Sequence, residues 1–209
     1  MSVRPPRIAP VEPPHPPELD AMLARWMPPG SGHEPLALFR VMARHEQLFS
    51  RARPLGGGIL GSRTLAPRLR ELMILRTCAL TGAEYEWGVH TVAFGRPLGL
   101  TECQLAATAA AAVPGPGDLE RHRDDRDHPG DEPGWDELER VVLRLAEELH
   151  GTSDVSDALF AELERLLTHE QIIELCLVSG WYHAISYVIN AARVPLESWA
   201  ARFPARVGS

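Results

Sequence analysis

The chain has 209 residues, and 44% of them are hydrophobic, which is enough for one domain with a sizeable core. Its formal net charge of −7 argues against a nucleic-acid-binding protein, which would need a basic face. No apolar run approaches the roughly 20 residues that span a bilayer, and the first residues lack the apolar centre of a signal peptide. We therefore expect a cytoplasmic protein with neither a nucleic-acid nor a membrane partner.

The first 17 residues are rich in proline and hold too few apolar groups to fold alone. They predict an extended amino-terminal arm, which has the reach to lie over a neighbouring subunit. Residues 18–209 are expected to form a single domain. Within it, a run of glycines, prolines and charges at 114–134 predicts a mobile surface loop, either a solvated insertion or a lid.

Apolar residues recur at helical spacing along most of the domain. The predicted helices cover 18–27, 34–51, 67–81, 83–94, 101–112, 135–149, 156–167 and 168–189. Thr101 with Gln104, and Thr168 with Gln171, have the spacing of capping boxes at two helix starts. The glycines at 56–58 and 61 predict a flexible connection. Since no segment alternates with a period of two residues, we predict an all-α fold.

Residues 65–90 hold three groups that can move a proton or hold a charge, Glu71, Glu86 and His90, on a segment apolar enough to be buried. Glu86 and His90 are four residues apart, so a helix places them on one face. If the two helices of this segment form a hairpin, Glu71 reaches the same point. The spacing also allows a surface pair of Glu86 and His90, with Glu71 as an ordinary first-turn acid.

Five further residues are the predicted substrate-binding set: Tyr85, Trp87, Arg76, His183 and Tyr187. For each of them the sequence also allows a structural role, in the core or in a salt bridge. No metal is expected, because the usual helical signatures, two histidines or Glu-x-x-His, are missing around His90. The three cysteines are widely spaced without a Cys-x-x-Cys, so a zinc knuckle is not expected.

The motifs in this segment resemble the carboxymuconolactone decarboxylase and alkylhydroperoxidase D-like family. They are Arg70-Glu-Leu-Met-Ile-Leu-Arg76 and Tyr85-Glu-Trp-Gly-Val-His90, with weaker matches around Gly99, Val155, Gln171 and Tyr187. The resemblance covers about residues 34–197. It implies an all-α helical bundle and a homo-oligomer, a trimer or a hexamer, with sites near subunit contacts.

In the peroxidase branch of this family, a Cys-x-x-Cys precedes the histidine. The resemblance places those two cysteine positions at Ala83 and Glu86, so peroxide reduction by a cysteine pair is excluded here. The version present resembles the decarboxylase branch, which needs no cofactor. There, a small carboxylated lactone or related enolisable acid loses carbon dioxide, and the resulting anion is protonated. By this resemblance, His90 transfers the proton, Glu86 orients and tunes His90, and Glu71 extends the relay.

Two alternatives remain open at this point. One is an antioxidant protein of the alkylhydroperoxidase type that uses a single cysteine, Cys78, Cys103 or Cys176. The other is a non-catalytic oligomeric scaffold that has kept the fold.

Overall fold

The computed structural model describes residues 5–27, 32–110 and 133–205, and within these ranges the regular structure is helical. The all-α prediction is confirmed. The helices are α1 (Pro17–Trp26), α2 (Ala37–Met42), α3 (Glu46–Gly61), α4 (Pro67–Leu80), α5 (Glu84–His90), α6 (Glu102–Thr108), α7 (Glu137–Thr152), α8 (Asp157–Leu166) and α9 (His169–Ala192). A 3₁₀ turn (Ala43–His45) joins α2 to α3, and a π-helical turn (Thr91–Gly95) extends α5.

Helix α4 is the centre of the bundle and packs against α5, α7 and α9. Ten consecutive residues, from Leu69 to Cys78, are buried, so this helix is covered on all sides rather than along one stripe. The charged residues within that run therefore need partners inside the protein. This constraint brings the candidate site residues of α4 and α5 together.

Helix ends follow the side-chain signals in the sequence. Thr101 and Thr168 each form the predicted capping box, with Gln104 and Gln171 as the partners. Asp136 and Glu139 form a third box at the start of α7. Between α4 and α5, Gly82 adopts a φ of +66°, a left-handed conformation that suits glycine. These signals act within one turn of helix, which explains why the sequence alone locates them.

The glycines at 56–58 do not form the predicted flexible connection but lie inside α3. Gly56 packs against the indole of Trp181, and a Cβ at this position would lie 2.8 Å from Trp181 Cζ2. The missing side chain therefore allows α3 and α9 to approach closely. The predicted helix at 34–51 is also divided, because His45 leaves helical geometry and its ring accepts a hydrogen bond from the Leu48 amide.

Helix α9 extends three residues beyond the predicted end at residue 189, to Ala192. By length and composition alone, it could cross a membrane. One face of α9 is buried in the core, at positions that include Leu175, Val178, Ile185 and Ile189. Core packing on that face accounts for much of its apolar composition.

The described part of the amino-terminal arm lies against its own chain. The amides of Arg7 and Ile8 both donate to the Ala192 carbonyl at the end of α9, and the Val11 amide donates to Arg40 in α2. The predicted loop at 114–134 lies almost wholly outside the described residues.

Gly88 in α5 tests the close packing around the site. A Cβ at Gly88 would lie 2.1 Å from the carbonyl oxygen of Ala201, whose amide donates to Gly88. We expect Gly88→Ala to destabilise the fold by about 1–3 kcal/mol or more, because backbone must shift. Gly58→Ala in α3 is the matched control: nothing lies within 4 Å, so helix propensity should make it neutral or stabilising by up to about 1 kcal/mol. Urea denaturation measures both, and equal effects would contradict this packing.

Candidate functional site

Glu71, Glu86 and His90 meet inside the bundle. His90 Nδ1 lies 2.9 Å from Glu71 Oε1, and His90 Nε2 lies 3.5 Å from Glu86 Oε1. The exposed fractions of the three residues are 2%, 7% and 3%, respectively. The alternative that the spacing allowed, a surface pair of Glu86 and His90 with Glu71 apart from it, is therefore wrong. One imidazole is held between two buried carboxylates from neighbouring helices.

This arrangement sets the charge of His90. Burial alone lowers the pKa of the imidazole, but the charge and hydrogen bonds of Glu71 and Glu86 outweigh that effect and raise it to about 10. The protonated form of the ring is therefore favoured at pH 7. His90 is thus poised as an acid rather than a base, and it donates its Nδ1 proton to Glu71.

A fourth member of the site, Tyr182 in α9, was not among the predicted site residues. Its hydroxyl oxygen lies 3.1 Å from His90 Nε2. With both ring nitrogens of His90 protonated, Nε2–H donates to Tyr182. Burial, followed by the charges of Glu86 and Glu71, raises the pKa of the Tyr182 phenol well above its ordinary value. The phenol therefore keeps its proton and can donate it to a further group.

A cavity of about 290 Å³ opens beside these residues. Glu86, His90 and Tyr182 form its polar end. Most of the rest is apolar and aromatic, with Trp26, Leu38, Phe39, Phe49, Phe94, Trp181, Ile185 and Trp199 in the wall. Arg53 of α3 also lines it. This combination, an apolar chamber with few polar groups at one end, is typical of a small-molecule site.

One oxygen of Glu86 has no partner among the described residues. Glu86 Oε2 is buried without a hydrogen bond, whereas Oε1 pairs with His90. A buried carboxylate oxygen that lacks a donor costs free energy unless a ligand or water supplies one. Because Glu86 lines the cavity, a bound molecule with an acidic hydrogen can meet that need.

None of the five predicted substrate-binding residues lines this cavity, and Arg76 and Trp87 point away from it. Arg76 donates to the carbonyls of Thr108 and Ala110 and pairs with Glu147, because its position on α4 is rotated by about 140° from Glu71. Trp87 Nε1 donates to Thr108 Oγ1 at 2.9 Å and points toward α6. Both are therefore fixed by partners within the fold.

Tyr85 also lies behind the cavity wall. Its hydroxyl donates to Glu197 Oε1 at 2.6 Å and accepts from the Leu38 amide at 3.1 Å. Glu197 Oε1 accepts from the Ala37 amide as well. Tyr85 and Glu197 together hold the start of α2, and α2 carries Leu38 into the wall. Tyr85 therefore supports the shape of the cavity without lining it.

His183 and Tyr187 line a different, more open depression. There, His183 Nε2 lies 3.0 Å from His150 Nδ1, while His183 Nδ1 donates to the Ser179 carbonyl. His183 directly follows Tyr182 on a helix, so the two side chains point about 100° apart. A periodicity signal was available for Tyr182, which shares the buried stripe of Leu175, Val178, Ile185 and Ile189.

The chain carries no thiol suited to peroxide attack at this site. Cys78 is buried, and burial, with the charges of Glu86 and Glu71, raises the pKa of its thiol well above the ordinary value. Such a thiol stays protonated and is a poor nucleophile. Within the described ranges, no group of three or more histidine, cysteine or acidic residues is arranged to hold a metal ion.

Comparison with known proteins finds one family model that matches part of the chain. Residues 46–121 match the carboxymuconolactone decarboxylase family, and this stretch contains Glu71, Glu86 and His90. The resemblance inferred from the motifs is therefore confirmed. No curated protein is significantly similar to the chain.

Several solved structures share the fold. A peroxidase-related protein from Silicibacter sp. TM1040 is 16% identical, with a TM-score of 0.72 over 98% of this chain and 99% of that one. The debrominase Bmp8, solved with 2,3,4-tribromopyrrole, is 16% identical, with a TM-score of 0.68 over 92% of each chain. An alkylhydroperoxidase AhpD core protein from Ralstonia eutropha JMP134 is also 16% identical, with a TM-score of 0.68 over 91% of this chain and 93% of that one. The fold is therefore an AhpD-like helical bundle.

The protonation of His90 has a measurable effect on stability. Its pKa in the folded state, about 10, exceeds its ordinary value of 6.5. The stabilisation from the protonated ring is thus complete below pH 6.5 and is lost as the pH rises through about 10. The chain contains no lysine, so few other cations titrate in this interval.

We expect ¹⁵N NMR to show the His90 ring still protonated at pH 8, and Glu71→Gln to lower the His90 pKa by removing its closest charge partner. His90→Gln should also reduce the loss of unfolding free energy between pH 6.5 and pH 10, as measured in urea. A His90 ring that titrates near 6.5 in the folded protein would contradict this electrostatic description.

Proposed function

We propose that the protein is a cofactor-free acid/base enzyme that acts on a small, largely apolar, enolisable acid, of which a carboxylated lactone is one type. This proposal rests on the placement of a protonated His90 and of Glu86, whose Oε2 has no hydrogen-bond partner, at the polar end of an apolar cavity. A general acid and a carboxylate that line the same small cavity are suited to proton transfer to or from a substrate carbon.

The chemistry of decarboxylation matches these groups. The bond between the substrate carbon and its carboxylate breaks, carbon dioxide leaves, and the electron pair remains as an enolate. His90 then gives its Nε2 proton to that carbon, and solvent restores the proton to the imidazole. For proton abstraction in the opposite direction, Glu86 Oε2 is the available base. The apolar wall favours the loss of carbon dioxide, because the localised charge of the substrate carboxylate is poorly solvated there and becomes more diffuse as carbon dioxide departs.

An enolate needs a hydrogen-bond donor at its oxygen, and Tyr182 is suited to that role. Because Tyr182 accepts a hydrogen bond from His90 Nε2, its own hydroxyl proton is available to a ligand in the cavity. A fixed donor in a water-poor site stabilises developing negative charge strongly. Arg53, at the exposed rim, offers a cation to a substrate carboxylate.

The solved structures of similar fold support a small ring-shaped ligand without defining the reaction. The debrominase Bmp8 was solved with a brominated pyrrole, a compact ring of apolar character. A ligand of similar size fits a cavity of about 290 Å³. The other two neighbours described above are peroxidase-related. The high pKa of Cys78 and its absence from the cavity lining nevertheless disfavour peroxide chemistry here.

The test uses a panel of small lactones, with and without a carboxyl group, in deuterium oxide. NMR follows carbon dioxide release and deuterium incorporation next to the carbonyl. We expect His90→Ala to lower turnover of an active substrate by about 10²–10⁴-fold, because the proton donor is lost, and Glu86→Gln to abolish deuterium exchange. Both variants should keep the helical circular dichroism of the wild type.

His183→Ala is the matched control, since this histidine lies outside the cavity and should leave turnover within about twofold of wild type. Full activity in His90→Ala would overturn the proposal. Peroxide consumption that depends on Cys78 would instead support the antioxidant alternative, and an absence of turnover across the panel would favour the scaffold.

A further inference from the structure

The polar end of the cavity offers a bound molecule one hydrogen-bond acceptor and one donor. The acceptor is Glu86 Oε2, which has no partner among the described residues and belongs to a side chain that lines the cavity. The donor is the hydroxyl proton of Tyr182, whose oxygen accepts from His90 Nε2. Glu86 Oε1 and the Tyr182 oxygen lie 3.5 Å and 3.1 Å from that same nitrogen, so the acceptor and the donor are close together.

A hydroxyl group satisfies both with a single atom. It donates its hydrogen to Glu86 Oε2 and accepts the Tyr182 proton on an oxygen lone pair. A carbonyl oxygen, such as that of a lactone, can only accept, and the N–H of an aromatic ring can only donate. Because a buried carboxylate oxygen without a donor costs free energy, the site favours a ligand that carries a hydroxyl group.

The remaining wall indicates what carries that hydroxyl group. The chain has five Phe, five Trp and three Tyr residues, and seven of these line this one cavity: Trp26, Phe39, Phe49, Phe94, Trp181, Tyr182 and Trp199. Aliphatic side chains would make an apolar wall equally well, whereas aromatic side chains also bind a further ring by stacking or edge-to-face contact. The wall is therefore suited to a flat aromatic ligand.

The ring contacts within the wall and its size agree with this. Trp26 meets Phe49 edge to face with centroids 4.0 Å apart, and it meets Phe39 in the same way at 5.9 Å. On the other side, Phe94 lies 5.0 Å from the ring of His90. An apolar cavity of about 150 Å³ is enough for benzene, so one of about 290 Å³ holds a single ring with small substituents.

We propose that the cavity binds a hydroxyarene carboxylic acid as its substrate, with the ring hydroxyl between Glu86 and Tyr182 and the carboxyl group ortho or para to that hydroxyl. This inference rests on the proposed function, because it names the substrate class of the same proton-transfer site. A phenol is the enol of a cyclic ketone, and its ortho and para carbons carry negative charge once the hydroxyl is deprotonated. Those carbons are the ones that can accept a proton.

The residues of the site account for each proton and electron pair. Glu86 takes the hydroxyl proton, and His90 gives its Nε2 proton to the ring carbon that bears the carboxylate, which forms a cyclohexadienone. The bond from that carbon to the carboxylate then breaks, carbon dioxide leaves, and the electron pair restores the aromatic ring as a phenolate. Glu86 returns its proton to the phenolate oxygen, on which the Tyr182 hydroxyl stabilises the charge, and solvent reprotonates His90.

Calorimetric titration of the full-length protein with small probes tests the binding site without any reaction. Phenol is compared with anisole, which has no hydroxyl hydrogen, with toluene, which has no oxygen, and with cyclohexanol, which has no aromatic ring. We expect phenol to bind about tenfold more tightly than anisole or toluene, and several-fold more tightly than cyclohexanol. Anisole or toluene that binds wild type as tightly as phenol would overturn the inference, whatever the variants show.

Two substitutions assign the selectivity to the named groups. Glu86→Gln and Tyr182→Phe should each weaken phenol binding by about tenfold and leave toluene binding within about twofold, because only the hydroxyl contacts are lost. Tyr187→Phe is the matched control, since this tyrosine of the same helix lines a different depression and should leave phenol binding unchanged. Equal effects of Tyr182→Phe and Tyr187→Phe would contradict the placement of the hydroxyl.

Turnover separates this inference from the proposed function. In deuterium oxide, NMR should show 2- or 4-hydroxybenzoate losing carbon dioxide and gaining deuterium at the vacated carbon, about 10²–10⁴-fold more slowly in His90→Ala. The 3-hydroxy isomer should stay intact, because its carboxyl-bearing carbon gains no charge from the phenolate. Turnover of a carboxylated lactone but of no hydroxybenzoate would overturn this inference and leave the proposed function standing. Phenol-selective binding without turnover of any acid would overturn the reaction and leave only the hydroxyl-binding site.

Discussion

Glu71 and Glu86 bring two carboxylates to one imidazole inside a bundle that offers little water to any of them. The pairing is possible because α4 and α5 meet at a tight turn, where Gly82 reverses the chain. Without His90 between them, two buried carboxylates would repel each other at a cost of several kcal/mol. The charge balance of the site therefore depends on the imidazole remaining protonated.

That balance links the fold to the proposed chemistry. Compared with apolar residues of similar size, a buried ion pair contributes little net stability, since desolvation consumes most of the Coulombic gain. Here the electrostatic energy instead holds a proton at His90 Nε2, next to a cavity with mainly apolar walls. Tyr182 and the unpaired oxygen of Glu86 complete the polar end. The same groups would be poorly placed on a surface, where water screens them.

Structural features that depend on residues close together along the chain could be predicted from the sequence. Capping boxes at Thr101 and Thr168 and the pairing of Glu86 with His90 follow from spacings of three and four residues. Tyr182 was missed because its contact with His90 spans 92 positions and depends on how α9 packs. The helical glycines at 56–58 were misread for a related reason, since the partner that requires Gly56, Trp181, is equally distant in sequence.

The proposed chemistry depends on the protonation state of His90, which neutron diffraction from crystals exchanged into deuterium oxide at neutral pH reveals. We expect deuterium on both Nδ1 and Nε2 of His90, and on the hydroxyl of Tyr182. A ring with deuterium on only one nitrogen would contradict it, because a neutral imidazole at pH 7 is incompatible with a pKa of about 10.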